Sequence, residues 1–271
     1  MSPIKIILGG YGTMGSMIYD IFMKEYEKRK DIVILGAIDP AVDPVHTRNI
    51  RIFHPDKISF ALEYKPDIWM DFSTPEAACA NVPKVVDAGV KPLIGTTGFT
   101  PEQKNKLLEY IREKEVPCMF SSNYAFGVHV TRKGVIQVAK SLKSTPEYGS
   151  EYDVGILDVH HRRKKDVPSG TLDMLKNDIM GVNPDISAEV FRTRGRNPRK
   201  PGEMDLASQR LGTVPGEHTV RFSGPDEEIL IIHRAYSRVP FARGALEFAR
   251  ILHLIEEPEI YTENNLLELI G

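Results

Sequence analysis

A segment of fourteen residues, Asp158 to Thr171, concentrates side chains that can take part in catalysis. It contains two adjacent imidazoles, His160 and His161, followed by the cations Arg162-Arg163-Lys164-Lys165. Pro168-Ser169-Gly170-Thr171 then leads into a helical pattern, and the free backbone N–H groups at a helix N-terminus attract carboxylates. An imidazole, whose ordinary pKa is about 6.5, supplies a proton at neutral pH. The segment therefore predicts a site that binds an acidic ligand and protonates it.

The alternative for this segment is a solvated basic loop with one structural histidine. We favour a functional site because basic surface loops seldom carry a histidine pair directly after an apolar strand. A second polar cluster lies at 215–222, 233–238 and 241–245, and polar residues alternate there with Val220 and Phe222. On physical grounds alone, that alternation indicates a hairpin with buried polar pairs, which is a structural role.

A glycine-rich turn separates the apolar run Ile4–Leu8 from a helical pattern that begins at Thr13. The turn reads Gly9-Gly10-Tyr11-Gly12-Thr13-Met14-Gly15 and satisfies G-x-G-x-x-G from Gly10. Glycines let the backbone turn sharply and bring its N–H groups close to a pyrophosphate at the helix N-terminus. The same glycines would suit any tight turn, but their position between strand and helix favours a dinucleotide site.

Asp39 follows the second apolar run, 32–38, where a carboxylate can accept hydrogen bonds from both ribose hydroxyls of an adenosine. The alternative is a turn-initiating aspartate before proline. The next residues, 40–42, provide no cation for a 2′-phosphate, and we therefore expect NADH to be preferred, with NADPH as the other candidate. Arg48 and Arg51 are near enough in sequence to compensate this charge.

Strand-like and helix-like patterns alternate up to residue 120. Strands are predicted at 4–8, 32–38, 68–72, 92–94 and 117–120, and helices at 13–28, 75–88 and 101–114. Thr100 is the predicted N-cap of the last helix, with Pro101 at its first position. This alternation predicts a parallel sheet covered by helices on both faces.

The pattern changes after Asn123. Strands are predicted at 152–159, 189–193, 206–211, 218–222 and 228–236, with helices at 128–142 and 171–180. Crowded strands of this kind predict an open mixed or antiparallel sheet in a second domain of α+β type. A last helical pattern, 241–254, would pack back on the first domain.

The composition is that of a folded protein: 271 residues, 41% hydrophobic and 27% charged. A formal net charge of −2 gives no electrostatic basis for binding nucleic acid or an anionic membrane. Cys79 and Cys118 have neither a disulfide-framework nor a metal-type spacing, and we expect reduced thiols and no metal. The N-terminal apolar run is too short for a signal peptide or a membrane span, which predicts a cytoplasmic protein.

The chain closely resembles the 4-hydroxy-tetrahydrodipicolinate reductases, also called dihydrodipicolinate reductases, through nearly its whole length. The matching motifs are Gly9–Gly15, Asp71-Phe72-Ser73-Thr74-Pro75-Glu76, Gly95-Thr96-Thr97-Gly98-Phe99, Ser122-Asn123, His160-His161-x-x-Lys164-x-Asp166-x-Pro168-Ser169-Gly170-Thr171, Pro215-Gly216-Glu217-His218 and Ser237-Arg238. The string from His160 to Thr171 is the most specific of them.

The resemblance implies an oxidoreductase that converts 4-hydroxy-tetrahydrodipicolinate (dihydrodipicolinate) to tetrahydrodipicolinate by hydride transfer from NAD(P)H, in lysine and diaminopimelate biosynthesis. It implies an α/β fold class, with a Rossmann-like parallel-sheet cofactor domain formed by residues 1–125 and 240–271. Residues 126–239 would form an α+β mixed-sheet domain for substrate binding and tetramerisation. The expected partners are a small dicarboxylate substrate and further copies of the chain in a homotetramer.

Residue roles follow from the resemblance position by position. His160 matches the proton donor and Lys164 its partner. The groups that hold the substrate carboxylates match His161, Lys164, Ser169, Gly170, Thr171 and Thr97. The cofactor-binding positions match Gly9, Gly10, Tyr11, Gly12, Thr13, Met14, Gly15 and Asp39, together with Phe72, Gly95, Thr96, Thr97, Ser122 and Asn123 near the nicotinamide.

The sequence departs from the family pattern in several places. The run Tyr124-Ala125-Phe126-Gly127-Val128-His129 stands where the family more often has Phe-Ser and, at the end, Asn. Thr13 replaces a common Arg, Val167 a usual Ala, and Asp158 a frequent Glu. These departures concern the finer cofactor contacts and leave the reaction class unchanged.

Two rival functions would fit parts of this sequence. Another NAD(P)-dependent amino-acid or hydroxy-acid dehydrogenase would share the cofactor fold, but the string from His160 to Thr171 argues against it. A non-catalytic dinucleotide-sensing regulator would need a DNA-binding or partner module, and the sequence has no basic N-terminal helix-turn-helix. It would also tolerate the loss of His160 and Lys164, and both are present.

Overall fold

The computed structural model describes residues 2–41, 50–145, 151–191 and 198–269. The chain divides into two compact units, one formed by Met1–Ala125 with Val239–Gly271 and the other by Phe126–Arg238. The predicted return of the chain to the first domain at residue 240 lies beside Val239, at which a helix begins. None of the described helices combines the length and the apolar content needed to cross a lipid bilayer.

The elements are numbered here in chain order. The strands are β1 (Ile4–Gly9), β2 (Ile32–Ile38), β3 (Ile52–Phe53), β4 (Ile68–Asp71), β5 (Lys91–Ile94), β6 (Cys118–Phe120), β7 (Asp153–His160), β8 (Ala188–Phe191), β9 (Glu203–Arg210), β10 (Gly216–Ser223), β11 (Glu228–Ala235) and β12 (Ile260–Tyr261). The α-helices are α1 (Thr13–Ile21), α2 (Ile58–Leu62), α3 (Pro75–Asp87), α4 (Pro101–Glu113), α5 (Phe126–Lys143), α6 (Gly170–Val182), α7 (Val239–Leu254) and α8 (Glu263–Leu269).

The first unit contains a seven-stranded sheet in the order β12-β6-β5-β4-β1-β2-β3. Every pair of neighbouring strands in it is parallel. The order β3-β2-β1-β4-β5-β6 is that of a Rossmann-like dinucleotide-binding sheet. The fold class predicted for this part of the chain is therefore confirmed.

Helices cover both faces of this sheet, and successive strand residues alternate between the two cores. Ile6 and Leu8 pack with α1 and α7, whereas Ile7 packs with α3 and α4. On the neighbouring strand β4, Met70 packs in the core of Ile6 and Leu8, and Trp69 packs in the core of Ile7. The apolar runs in the sequence are continuous because the strands are buried on both faces.

The shortest elements of this unit are absent from the sequence prediction. Strands β3 and β12 have two residues each, and helices α2 and α8 have five and seven. Elements of this length show no periodicity that would distinguish them from loops. The predicted helix 13–28 is also interrupted, since α1 ends at Ile21 and the chain continues as one π-helical turn, Phe22–Tyr26, and a short 3₁₀ turn.

The second unit contains a five-stranded mixed sheet in the order β11-β10-β7-β9-β8. Strand β10 is antiparallel to both β11 and β7, whereas β9 is parallel to β7 and β8. This confirms the predicted mixed sheet. The end of the strand predicted at 189–193 lies outside the described residues.

The two faces of the five-stranded sheet differ. On one face, Val154, Ile156 and Val220 pack against apolar residues of α5 and α6. On the opposite face, Leu230 and Ile232 of β11 are 44% and 50% exposed. The side chains that carry chemistry lie at the end of the helix-covered face.

Candidate active site

The predicted cofactor-binding residues of the first unit lie where strands of the parallel sheet end. They follow β1 (Gly10 to Gly15), β2 (Asp39), β4 (Phe72), β5 (Gly95, Thr96, Thr97) and β6 (Ser122, Asn123), while Gly9 is the last residue of β1. Because these strands are parallel, their carboxyl ends share one edge of the sheet, where ligands bind in folds of this type. The fold thus brings the predicted positions to a common edge.

Three glycines of the first turn have different tasks. Gly10 has φ +96°, and a Cβ atom there would lie 2.7 Å from the carbonyl oxygen of Phe72, so the turn requires glycine. A Cβ atom on Gly15 would lie 2.1 Å from the Gly10 carbonyl oxygen, which fixes the close approach of α1 to β1. Gly12 is exposed, and its Cβ position has no atom within 4 Å. This open space is where a pyrophosphate can approach the backbone.

The N-terminus of α1 is suited to an anion. Its N-cap is Gly12, which has no side-chain capping hydrogen bond, and no acidic residue lies in the first turn. The first N–H groups of a helix lack intrahelical acceptors and lie at the positive end of the helix dipole. Together with the open space beside Gly12, these groups fit the pyrophosphate of a dinucleotide.

Asp39 holds the glycine turn as well as facing the edge of the sheet. Its Oδ2 atom accepts a hydrogen bond of 2.7 Å from the Tyr11 N–H, and its Oδ1 atom accepts one of 2.8 Å from the Ala41 N–H. A carboxylate oxygen has two lone pairs, so both oxygens retain one for a ribose hydroxyl. Arg51 donates from Nη1 to the Tyr64 hydroxyl at 2.5 Å. Arg48 lies outside the described residues.

The loops after β4 and β5 are tied together by Asp71, whose role the sequence analysis missed. This fully buried carboxylate accepts hydrogen bonds from Trp69 Nε1 at 2.9 Å and from the hydroxyls of Ser73 and Thr96 at 2.6 Å. Burial raises the pKa of Asp71, although these hydrogen bonds oppose the shift. Asp71 was visible only as part of a family motif, because Thr96, which joins it to the loop after β5, lies 25 residues away in sequence.

The remaining predicted positions of this edge are constrained by local contacts. A Cβ atom on Gly95 would lie 2.2 Å from the ring of Phe72, so this glycine makes room for that ring. Asn123 is buried, and its Oδ1 atom accepts a hydrogen bond from the Ala125 N–H at 2.8 Å. Thr97 is exposed and belongs to the first unit, whereas the other predicted substrate-binding residues belong to the second.

In the second unit, strand β7 carries the apolar core directly into a polar site. Alternate residues of a strand share a face, and Asp158 and His160 therefore follow Val154 and Ile156 on the helix-covered side. Both are buried, and His160 is the last residue of the strand and 7% exposed. The spacing of two between Asp158 and His160 is the signal that would have indicated their proximity from the sequence.

Asp158 and His160 are in close contact, and His160 Nδ1 lies 3.2 Å from Asp158 Oδ2. On the other side of the carboxylate, Arg210 Nη1 lies 3.4 Å from Asp158 Oδ1. Burial alone would raise the pKa of Asp158, but its neighbours, with His160 first and the charge of Arg210 among them, hold it well below its ordinary value. The carboxylate is therefore ionised although it is buried.

His218 completes this cluster from the neighbouring strand, where it pairs in register with Asp158. Its ring packs edge-on against that of His160, with 5.2 Å between the centroids. Its Nε2 atom lies 3.2 Å from the hydroxyl of Ser169, which also caps α6 by accepting from the Leu172 N–H. Burial, followed by the nearby His160, lowers the pKa of His218 to about 3, so this imidazole is neutral.

The ligand atoms of Asp158, His160 and His218 all lie within 4.8 Å of one another, a spacing that also suits a metal ion. We assign no metal to this cluster, because the Arg210 guanidinium already contacts the carboxylate and would repel a second cation. The absence of a metal stays a prediction of the sequence analysis.

The loop after β7 carries the predicted anion-binding cations. Lys164 Nζ lies 2.7 Å from Asp166 Oδ2, and the exposed Lys165 follows it. Burial lowers the pKa of the half-buried His161, and nearby cations, Arg238 first, lower it further. The loop ends at a cis peptide bond, Val167-Pro168, after which Ser169 caps α6. A neutral imidazole, an ammonium group and a helix N-terminus thus converge within one short stretch.

The chain matches two family models over almost all of its length. The model described as "Dihydrodipicolinate reductase, N-terminus" matches residues 4–124, and "Dihydrodipicolinate reductase, C-terminus" matches residues 127–267. A 4-hydroxy-tetrahydrodipicolinate reductase of Methanospirillum hungatei is 33% identical, with 98% of this chain and 99% of that protein covered. One from Archaeoglobus fulgidus is 40% identical over 74% of this chain and 76% of that protein.

Among solved structures, a dipicolinate-bound dihydrodipicolinate reductase from Paenisporosarcina sp. TG-14 is similar in fold. The TM-score is 0.73 at 22% sequence identity, and 97% of this chain and 99% of that chain are covered.

The different tasks of the turn glycines lead to a prediction. Gly12→Ala should leave the protein folded, because nothing surrounds the added methyl group, but should weaken dinucleotide binding about tenfold or more by occupying the anion's space. Gly10→Ala should instead destabilise the protein by about 1–3 kcal/mol through backbone strain and overlap with Phe72. Calorimetric dinucleotide titration and urea unfolding measure the two effects.

Gly181→Ala serves as the control, because that helical glycine also has nothing near its Cβ position but lies in the second unit. Gly181→Ala should weaken neither dinucleotide binding nor the stability of the fold. Unchanged dinucleotide affinity in Gly12→Ala would contradict the assignment of the turn to the pyrophosphate.

Proposed function

The chain belongs to the dihydrodipicolinate reductase family, and from that membership and the geometry of its site we propose its reaction. It reduces 4-hydroxy-tetrahydrodipicolinate to tetrahydrodipicolinate with NAD(P)H, in the biosynthesis of diaminopimelate and lysine. The ring loses its hydroxyl group as water and gains one hydride and one proton. NAD(P)H becomes NAD(P)⁺, which balances atoms and electrons.

The observation that carries this proposal is the contact of Asp158 with His160 beside the basic loop and the capped N-terminus of α6. A ring with two carboxylates needs cationic and N–H groups to hold it, and Lys164 and the helix N-terminus provide them. Reduction of a conjugated imine also needs a proton at an adjacent atom. His160 supplies that proton in our proposal.

In the proposed mechanism the residues of this chain orient both reactants and supply the proton. When bound, the nicotinamide supplies the hydride, and the residues of the first unit bind and orient it, while Thr97 also holds a substrate carboxylate. As electron density builds on the substrate ring, His160 delivers its proton. Lys164 exchanges Asp166 for a substrate carboxylate, and its ammonium group stabilises the charge that develops on the ring. Orientation by Ser169, Gly170 and Thr171 limits the ring to one reactive pose.

We also propose the compartment and the assembly. Cys79 and Cys118 are free thiols, which is consistent with the cytoplasm, where NAD(P)H is available. The open face of the five-stranded sheet has an apolar centre formed by Leu157, Leu230 and Ile232, and association of four copies through it would remove this surface from water.

The reaction is tested by an absorbance assay that follows oxidation of NADH and of NADPH. The unstable substrate is prepared freshly from pyruvate and aspartate semialdehyde, and a panel of 2-oxo acids and amino acids serves as the comparison. We expect turnover of the ring substrate alone. Turnover of another acid, with none of the ring substrate, would refute the proposal.

The assembly gives a prediction of its own. Sedimentation velocity of the unmodified protein should show a tetramer, and Ile232→Asp should give a smaller species, because a charge would be buried in the sheet-to-sheet contact. Leu211→Asp, which changes an exposed residue outside the strands, is the control. A tetramer that persists in Ile232→Asp would rule out this face.

Two adjacent lysines provide a matched pair of variants. Lys164→Ala should raise KM and lower kcat by about tenfold each, because the ammonium group binds a carboxylate and stabilises developing charge. Lys165→Ala should change either constant by less than about twofold, since that side chain is exposed and its charge is screened. Steady-state kinetics measure both constants. Small, equal changes of kcat and KM in the two variants would exclude a specific role for Lys164.

The preference for NADH rests on Asp39. A 2′-phosphate about 4 Å from that carboxylate would meet a repulsion on the order of several kcal/mol at an effective dielectric near 20. Arg51 is bound to Tyr64 and so offers no ready compensation. We therefore expect a higher kcat/KM with NADH than with NADPH.

The double variant Asp39→Asn, Pro40→Arg should narrow or reverse this preference, because it removes the negative charge and adds a cation. Pro40→Arg alone is the control for the added charge. Equal kcat/KM for the two cofactors in the unmodified enzyme would contradict the Asp39 argument and would leave the reductase assignment intact.

A further inference from the structure

The buried carboxylate of Asp158 has no role in the reaction as described so far, yet the sheet places it beside the proton donor. Strand periodicity puts it two residues before His160 on the same face, and Ser208 and His218 are its neighbours on β9 and β10. Asp158 is fully buried, and Oδ2 of its carboxylate and His160 Nδ1 are both sealed from solvent. Neither of these atoms has a hydrogen-bond partner among the described residues, and they face each other at 3.2 Å.

We propose that Asp158 is a positioning residue that keeps the proton of neutral His160 on Nδ1, so that Nε2 is the atom that donates a proton to the substrate. This inference rests on the proposed function of His160. Protonated His160 carries a proton on both nitrogens, and the one on Nδ1 stays directed at Asp158 throughout. After Nε2 has lost its proton, the imidazole is left in a single tautomer that can be reprotonated only at Nε2.

The surroundings of Nε2 agree with this assignment. A Cβ atom on Gly216 would lie 3.3 Å from Nε2, so a residue without a side chain leaves room beside the donating atom. His218 is neutral and adds no charge there. The glycine and the buried carboxylate thus lie on opposite sides of the same ring.

Electrostatics explain why a carboxylate is needed at this position. Arg210 lies on β9, and Arg163 and Lys164 follow on the loop, so the end of β7 that carries His160 has several cations nearby. His161 on the same loop and His218 on β10 are the other titratable groups that face it. Asp158 is the buried negative charge that offsets these cations. His160, Ser208 and Ser169, and then the charge of Arg210, hold the pKa of this carboxylate well below its ordinary value.

The central test compares Asp158→Asn with Asp158→Glu. The amide has the same shape but no charge, and kcat should fall about 10- to 100-fold while KM changes less than about threefold. The alkaline limb of the kcat profile should move to lower pH by about one unit, because imidazolium loses its counter-charge. Asp158→Glu restores a carboxylate and should recover most of the activity. Asp185→Asn, which neutralises an exposed aspartate paired with Lys143, should have no effect.

A double-variant cycle separates positioning from general support of the fold. In the background of His160→Gln, Asp158→Asn should lower kcat by less than about twofold, since the group through which it acts is gone. An equal loss in both backgrounds would overturn the proposal, as would Asp158→Asn with unchanged kcat and pH profile. Loss of activity after removal of metals with EDTA would also overturn it, because the cluster would then hold an ion.

Nitrogen NMR of histidine-labelled protein supplies a reading that does not depend on turnover. Neutral His160 should show the Nδ1–H tautomer in the unmodified protein, and an Nε2–H tautomer would refute the inference even if Asp158→Asn fails to fold. An unmodified protein without reductase activity would count against the proposed function instead. The two failures are therefore distinguishable.

Discussion

A charged carboxylate is costly in a protein interior unless other charges and hydrogen bonds compensate it, and the site of the second unit depends on how this is achieved for Asp158. His160 lies on one side of the carboxylate and Arg210 on the other, at 3.2 and 3.4 Å. The first contact follows from the period of two along β7, the second from the register of β7 with β9, and the register of β7 with β10 aligns His218 with Asp158. The Ser169 hydroxyl, which contacts His218, then joins this cluster to the N-terminus of α6.

The first unit contains a buried carboxylate with the opposite electrostatic character. Asp71 is surrounded by the neutral donors Trp69, Ser73 and Thr96, and burial raises its pKa. At Asp158 the neighbours His160, Ser208 and Ser169, and then the charge of Arg210, outweigh burial and lower the pKa. Asp71 holds two loops together, whereas in the proposed mechanism the ionised Asp158 acts on the imidazole of His160.

The sequence predicted the elements with strong local signals and missed those that depend on distant partners. Strand β2 has the predicted bounds, and α4 begins at Pro101 after the predicted cap, where Thr100 and Gln103 form a capping box. Strand β3 and the π-helical turn had no local pattern that would indicate them. The polar cluster containing His218 was interpreted as structural, because its proximity to Asp158 arises from pairing across strands that are far apart in sequence. The predicted substrate contacts of Ser169 and Thr171 stay predictions.

The two anion-binding regions differ in a way that follows from what happens to each ligand. A pyrophosphate keeps its charge during the reaction, so neutral backbone N–H groups and the empty space beside Gly12 would be sufficient for it at the predicted turn. The substrate ring changes its electron density, and its site therefore needs a group that gives up a proton and a cation that follows the developing charge. In the proposed mechanism His160 and Lys164 meet these needs, and each has an acidic neighbour, Asp158 and Asp166. The exposed Asp166 can be displaced by a substrate carboxylate, whereas the buried Asp158 cannot leave, which is the property that a positioning residue requires.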